Sequence, residues 1–434
     1  MSFQQGLSGL NAASKQLEAI GNNVANSNTV GFKSSAAEFA DVFASSLSGG
    51  GGGSTQVGIG VAVSQVAQAF TQGNVSSSNN PLDLAINGGG FFRVSTGGSV
   101  AYSRNGQFSL DKNGYVVNAN GARLTGYTAN VNGVLSTGKP NDLNMNTSDL
   151  APKQTGVINA VLNLDSNKPP INSTLKPFSL TDPSTYSNST SVAVFDSLGV
   201  SHVLQTYYVK TGPTPATAAT APNGTWDIYA AADDVLVPVP TTTPATPPGK
   251  VGTLSFLPDG SIDPVNSIPA APATTPVTIN VTSGAATPFS VGIDYVGTTQ
   301  YGSTFSVNTL KQDGFSSGRL SGFNIGADGV ITGRYTNGQS TTLGQVVLAN
   351  FTDVNGLKPL GNNLWAESSA SGPALVSTPN SGSLGVLQSS AVEDSNVDLT
   401  AELVNMITAQ RYYQANAQTI KTQDQVLQTL VNLR

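Results

Sequence analysis

The sequence predicts a mixed, mainly β chain: nested antiparallel β-domains, sandwich- or barrel-like, set between an N-terminal and a C-terminal α-helix that pair as a coiled coil. Three observations carry this. Both chain ends bear apolar residues at alternating spacings of three and four with no proline, the pattern of a narrow helical seam. The interior alternates apolar and polar residues between recurring Asn-Gly dipeptides, which mark strands and hairpins. Finally, 14 of the 24 prolines crowd between Gly212 and Pro288, which rules out helix there and confines strands to short or edge positions.

At the N-terminus, Ser2 and Gln5 form a capping box ahead of a stripe through Phe3, Leu7, Leu10, Ser14, Leu17, Gly21 and Val24, with Ile20 flanking. In the following run, GNNVANSNTVGFK, Asn22, Asn23, Asn26 and Asn28 cap and turn the backbone through their side chains. Gly31 permits a positive φ before Phe32 returns to apolar packing. Residues 34–43 read as a short amphipathic continuation through Phe39, Val42 and Phe43, and SGGGGGS at 48–54 as a flexible tether. Thr55 and Gln56 do not supply the Lys-Ser/Thr of a phosphate-cradling loop.

Alternation returns in GIGVAVSQVAQAF at 58–70. Between Leu82 and Tyr127, Asn-Gly pairs at 87–88, 105–106, 113–114 and 120–121 predict type I′ hairpins in a meander or small sandwich. Gly88, Gly89 and Gly90 make no dinucleotide site, since no GxGxxG-then-helix unit follows. From about residue 150 the composition shifts to Pro, Thr, Ala and Ser around possible strands TSVAVFD, HVLQTYYV, WDIYAA and VTINV. An all-β outer domain is expected, with a mucin-like disordered stalk as the alternative. Residues 305–351 resume the earlier style with a hairpin at Asn337-Gly338, and 357–396 are loop-rich.

The C-terminal helix is expected to start near Asn396, with Ser395 as N-cap and Asp398 three residues on. Its stripe runs through Leu399, Leu403, Met406, Gln410, Tyr413, Ala417, Ile420, Asp424, Leu427 and Val431, and Ile407 lies beside it. Burial along two narrow seams falls short of the cost of ordering roughly sixty backbone positions. Both ends are therefore expected to be ordered mainly when other copies pack around them.

Catalytic and metal chemistry find no footing. His202, the single histidine, sits in an alternating run that reads as a plain strand with no partner pattern, and cysteine is absent. Asp233-Asp234 and Glu393-Asp394 are adjacent carboxylates that a strand would point to opposite faces. There is no GxSxG and no calcium loop. No catalytic residue, cofactor or metal site is expected. Charged residues make up only 10% of the chain and the net charge is −6, so no basic patch invites nucleic acid or anionic membrane. No stretch approaches a membrane span, and the start lacks a secretory signal; alone that reads as cytoplasmic, but uncleaved export routes leave no such mark.

The run NNVANSNTVGFK together with VDLTAELVNMITAQRYYQANAQTIKTQDQVLQTLVNLR resembles the terminal pair of the bacterial flagellar rod and hook proteins. PLDLAINGGGFFRV and YSRNGQFSLDKNGYVVNANG are similar to that family's β-domain, and LGNNLWAESSASG to its connecting layer. The resemblance covers residues 1 to about 145 and about 300 to 434. It implies terminal helices paired as concentric coiled coils lining a tube, with Phe3, Leu7, Leu10, Leu17, Ile20, Val24, Asn22, Asn23, Asn26, Gly31 and Phe32 at one end serving assembly. At the other end it implies the same for Leu399, Leu403, Met406, Ile407, Tyr413, Ala417, Ile420, Leu427 and Val431.

On this reading residues 1–30 and 395–434 are the terminal helices, and 31–71 and 358–394 a connecting segment. Residues 72–149 and 287–357 are then an inner β-domain, and 150–286 the outer β-domain. The resemblance further implies a hook subunit, self-assembling and transmitting torque as a flexible joint. Its partners would be other copies, the distal rod protein, the hook cap, a hook-associated junction protein and the flagellar type III export apparatus, and its location the extracellular hook. The shorter distal rod protein, a junction protein and an extracellular adhesin remain the rival readings.

Overall fold

The computed structural model describes residues 2–42, 58–212, 224–238, 247–269 and 274–432; the SGGGGGS tether and three Pro-rich runs lie outside them. The chain forms two compact units: Met1–Thr147 with Ser321–Arg334 and Ser340–Arg434, and, inserted between these, Ser148–Leu320 with Tyr335–Gln339.

In the first unit, α1 (Ser2–Ala25) and α2 (Leu399–Asn432) lie antiparallel. Gly6 faces Ile420, Gly9 faces Asn416, and Asn23 reaches Glu402. Along α1 runs the hairpin β1 (Ser35–Val42) and β2 (Gly60–Gln68), paired from Ser35 with Gln68 to Val42 with Gly60. Gln5 Nε2 donates to Gly58 O at 2.6 Å and Val61 N donates to Ser8 Oγ at 3.3 Å. One expectation changes here. Residues 35–42 are a strand rather than a helical continuation, because β2, out of reach of a ten-residue window, supplies a full ladder. Gln5, read from the sequence as part of a capping box, gives its Nε2 to the hairpin.

The β-layer of this unit weaves its outgoing and returning segments together. One sheet orders the strands Ser340–Val346, Arg123–Thr128, Phe91–Thr96, Ser99–Ser103 and Leu364–Ala366 side by side, and Leu348–Asn350 also pairs with Phe91–Phe92. Phe91, Tyr102, Phe351 and Trp365 meet edge-to-face beneath it. Of the Asn-Gly pairs, 113–114, 120–121 and 337–338 do close hairpins, but only the glycine is left-handed (φ 81°, 77° and 79°). These are type I turns with a glycine bulge, and where Asp111 or Asn118 leads, its side chain accepts two backbone N–H groups of the turn. The pairs at 87–88 and 105–106 close no hairpin, since Leu84–Asn87 pairs with Val386–Ser389 and Phe108–Leu110 with Val116–Asn118. Type I′ geometry occurs instead at Asp233-Asp234 and Asn362-Asn363, where both residues have φ between 48° and 63°.

The inserted unit packs two sheets on one core. Asn188–Phe195, Ser201–Gly212, Gly224–Ala232, Val235–Leu236 and Lys250–Phe256 make one. Val157–Asn163, Thr275–Ile279, Phe289–Asp294 and Ser306–Gln312 make the other, in which Val157–Asn159 runs parallel to Gly292–Asp294, an exception to the antiparallel expectation. Residues 289–312, expected in the inner domain, thus belong here, because Phe289, Val291, Ile293 and Tyr295 complete the core. That core replaces the stalk alternative. Trp226, Tyr208 and Phe256 are fully buried in it, and Trp226 Nε1 donates to Gln300 Oε1 at 3.1 Å. Trp226→Ala should destabilise this unit by about 3–5 kcal/mol, read as an earlier urea transition of its tyrosine-rich core.

Candidate assembly interface

The Asn-rich run after α1 folds back through its own side chains. Asn26 donates to Asn22 O and Oδ1. Asn23, 1% exposed, pairs with the backbone of Ser35 in both directions and donates to Glu402 Oε1 at 3.1 Å, joining α1, β1 and α2 at one point. Asn28 is exposed. Gly31 (φ 71°) donates to Glu393 O at 2.7 Å, and a Cβ there would lie 2.5 Å from the Asn105 backbone, so glycine is required. Phe32 is buried beside it.

Next to this run lies a charged node that sequence reasoning missed. Lys33 Nζ, fully buried, donates to Glu393 Oε1 at 2.6 Å and to Thr71 O at 2.7 Å. Arg104 donates to Glu393 Oε2 at 3.1 Å and to Gly88 O at 2.7 Å, and Gly73 N donates to Glu393 Oε1 at 2.9 Å. Burial lowers the Lys33 pKa from its ordinary value and the Glu393 carboxylate opposes that shift; Arg104 is lowered for the same reason. Four chain segments are tied by one carboxylate. The local signal was three charges in a chain poor in them; the Lys33–Glu393 pairing spans 360 residues.

The C-terminal helix starts at Leu399, not near Asn396. Asp398 accepts from Thr400 N and Ala401 N and is the N-cap, while Asn396 is spent holding Ser34 N, Ala69 O and Thr71 O.

Within the chain, α1 and α2 meet through small residues. Gly6, Ala13 and Ile20, seven apart, are buried on α1, and Ala409 is buried on α2. Each α1 position lies one residue before the stripe read from the sequence, and at Gly6 and Gly9 the missing side chain lets the axes approach: a Cβ on Gly9 would fall 2.6 Å from the Asn416 side chain. Leu10, Leu17 and Val24 are half-buried, as are Met406, Ala417 and Ile420. Phe3, Leu7, Leu399, Leu403, Ile407, Leu427 and Val431 are 45–74% exposed, and Tyr413 is 38% exposed. Val404, Tyr412 and Val426, not singled out from the sequence, are exposed as well, on the other side of α2. A single helix pair leaves these exposed side chains without a partner.

Family models match along the chain: "Flagella basal body rod protein" over residues 3–33, "Flagellar hook protein FlgE/F/G D1 domain" over 85–160, "Flagellar basal body protein FlaE D2 domain" over 163–315 and "Flagellar basal body rod FlgEFG protein C-terminal" over 388–433. The chain is 41% identical to flagellar hook protein FlgE of Salmonella typhimurium over 442 residues and to that of Escherichia coli over 445, covering all of both chains in each case. It is 31% identical to the Borreliella burgdorferi hook protein, over all of this chain and 99% of that one. The fold is similar to that of Helicobacter pylori flagellar hook protein FlgE2, with a TM-score of 0.54 at 13% identity over 73% of this chain and 100% of the other.

Proposed function

The chain belongs to the flagellar hook protein family and is a structural subunit of the bacterial hook, not an enzyme, and from that premise we propose that its terminal helices form the inner wall of a tube built from many copies. The observation that carries this is the row of large apolar side chains left exposed along α1 and α2 when the two pair. Water contact for Leu403, Ile407, Leu427 and their neighbours is unfavourable at roughly 25 cal/mol per Å2, and the same faces of other copies are the complementary surface a helical homopolymer supplies. The residues from Phe3 to Phe32 and from Leu399 to Val431 named above are the proposed assembly residues, with 1–30 and 395–434 as the inner domain.

The β-units then act as compliant outer contacts in a universal joint that passes torque from rod to filament. Surfaces rich in Ser, Thr, Asn and Gly and poor in charge suit sliding contacts, since they offer many weak hydrogen bonds and few desolvated ion pairs. The distal rod protein, the hook cap, a hook-associated junction protein and the type III export apparatus are the proposed partners, with export to the cell exterior through an uncleaved N-terminal region. Full-length identity to named hook proteins favours this over the distal rod, junction and adhesin readings. Electron microscopy of the concentrated chain, with and without residues 1–33 and 396–434, tests it. Tubes are expected from the full chain and soluble monomers from the truncated one; tubes from the truncated chain would overturn the reading.

A further inference from the structure

The inserted unit contains a half-buried charged cluster that its role in a tube does not use. His202, the chain's one histidine, is 8% exposed. Its Nδ1 lies 2.6 Å from Asp233 Oδ2 and its Nε2 3.4 Å from Asp196 Oδ2. Asp196, fully buried, heads the 196–200 turn and accepts from Leu198 N and Val200 N. Ser283 Oγ also donates to Asp196 Oδ2 at 2.6 Å, and Ala286 N donates to Ser197 Oγ at 3.1 Å, which brings in the 281–287 loop. Asp233, in the turn after Gly224–Ala232, accepts from Val203 N through its second oxygen. On its other side the ring meets Phe289, which is uncharged. Asp234, next to Asp233, is exposed.

Both ring nitrogens thus face carboxylate oxygens. Only an imidazolium can donate to both; a neutral ring has one N–H and must turn a lone pair toward the other carboxylate. The shorter contact is with Asp233, so the ring's remaining proton stays there and a bare Nε2 faces Asp196, which water cannot reach to compensate.

We propose that His202 is a pH-operated latch in the inserted unit: as an imidazolium it draws together the 196–200 turn, the 233–234 turn and the 281–287 loop, and as a neutral ring it releases the 196–200 turn and that loop. Its titration agrees with the geometry. Burial pushes the His202 pKa down, but the hydrogen bonds to Asp233 and Asp196 outweigh it and raise the value above its ordinary one. Asp196 is pushed up by burial yet held at about 2 by Ser283, the turn amides and His202. A raised histidine stabilises the fold fully below its unfolded value of about 6.5, and that contribution is lost as pH climbs through the higher folded value. The latch is closed below about pH 6.5 and slackens as pH climbs through the raised folded value.

Because there is one histidine, selective 13C labelling of the full-length chain, dilute enough to stay monomeric, gives one imidazole resonance to titrate. Its midpoint is expected above about 6.5, and Asp233→Asn, which removes an exposed partner, is expected to lower it. Across the midpoint, exchange of the Val200 and Ala286 amides should accelerate relative to core-strand amides, by about ten-fold for each unit the folded value exceeds the free one. A midpoint at or below the ordinary value, no response to Asp233→Asn, or relative exchange that ignores the midpoint would each overturn the latch.

Discussion

Glu393→Ala should destabilise the first unit by about 3–5 kcal/mol, because it leaves Lys33 and Arg104 buried without their shared carboxylate. The loss exceeds that of an ordinary surface ion pair, since Lys33 is fully buried and Glu393 is 1% exposed. Urea unfolding of the full-length chain, followed separately in the two units, is the measurement. The transition of the first unit should move to markedly lower urea while that of the inserted unit stays in place. Glu393→Gln keeps the volume and can still accept from Gly73 N, but drops the charge, so most of the loss should persist. A glutamine variant as stable as the original would mean that packing, not charge, holds the node. The same carboxylate ties residues 31–34, 71–74 and 86–104 to the strand that leads into α2, so loosening it should also free the base of the β1–β2 hairpin.

Leu403→Glu combined with Ile407→Glu should abolish tube formation while leaving the monomer nearly unchanged. Both side chains are about half exposed on α2, and surface substitutions of this kind usually shift stability within about 0.5 kcal/mol. In a tube the same positions would place carboxylates in an apolar contact, at a cost of several kcal/mol per unpaired charge. At 1.4 kcal/mol per ten-fold, the concentration needed for assembly should rise at least about a hundred-fold. Circular dichroism melts of the monomer and sedimentation of the concentrated chain separate the two effects. Tubes at the original concentration would remove this face of α2 from the subunit contact.

Much of the architecture is legible in the residues because it rests on local rules. Three-four periodicity makes helices of both ends, alternation makes strands of 60–68 and 201–212, and dense proline keeps helix out of the middle. The Asn-Gly pairs show where such reading stops. Three sit in hairpins, yet two do not, because whether neighbouring strands pair depends on a third strand arriving from a distant part of the sequence, as Val386–Ser389 does beside Leu84–Asn87.

The candidate interface divides the same way. Its composition could be listed from periodicity, but which face of α1 turns inward could not. A stripe of Phe and Leu looks like the seam, while the chain's own contact runs through Gly6 and Gly9, where the missing side chain admits the closest approach. Only α2, folded back against α1, decides which residues remain outside for other copies.

By itself, then, the sequence determined the helical ends, the β interior and the insert between two related β-segments, all readable within windows of a turn or a strand. Tertiary structure alone decided that 35–42 is a strand, that the insert's core takes in residues 289–312, and that Lys33, Arg104 and Glu393, like His202, Asp196 and Asp233, meet. The physical reason is common to all three: a ladder, a shared core and a buried charge each need a partner that chain folding, and not sequence proximity, brings within reach.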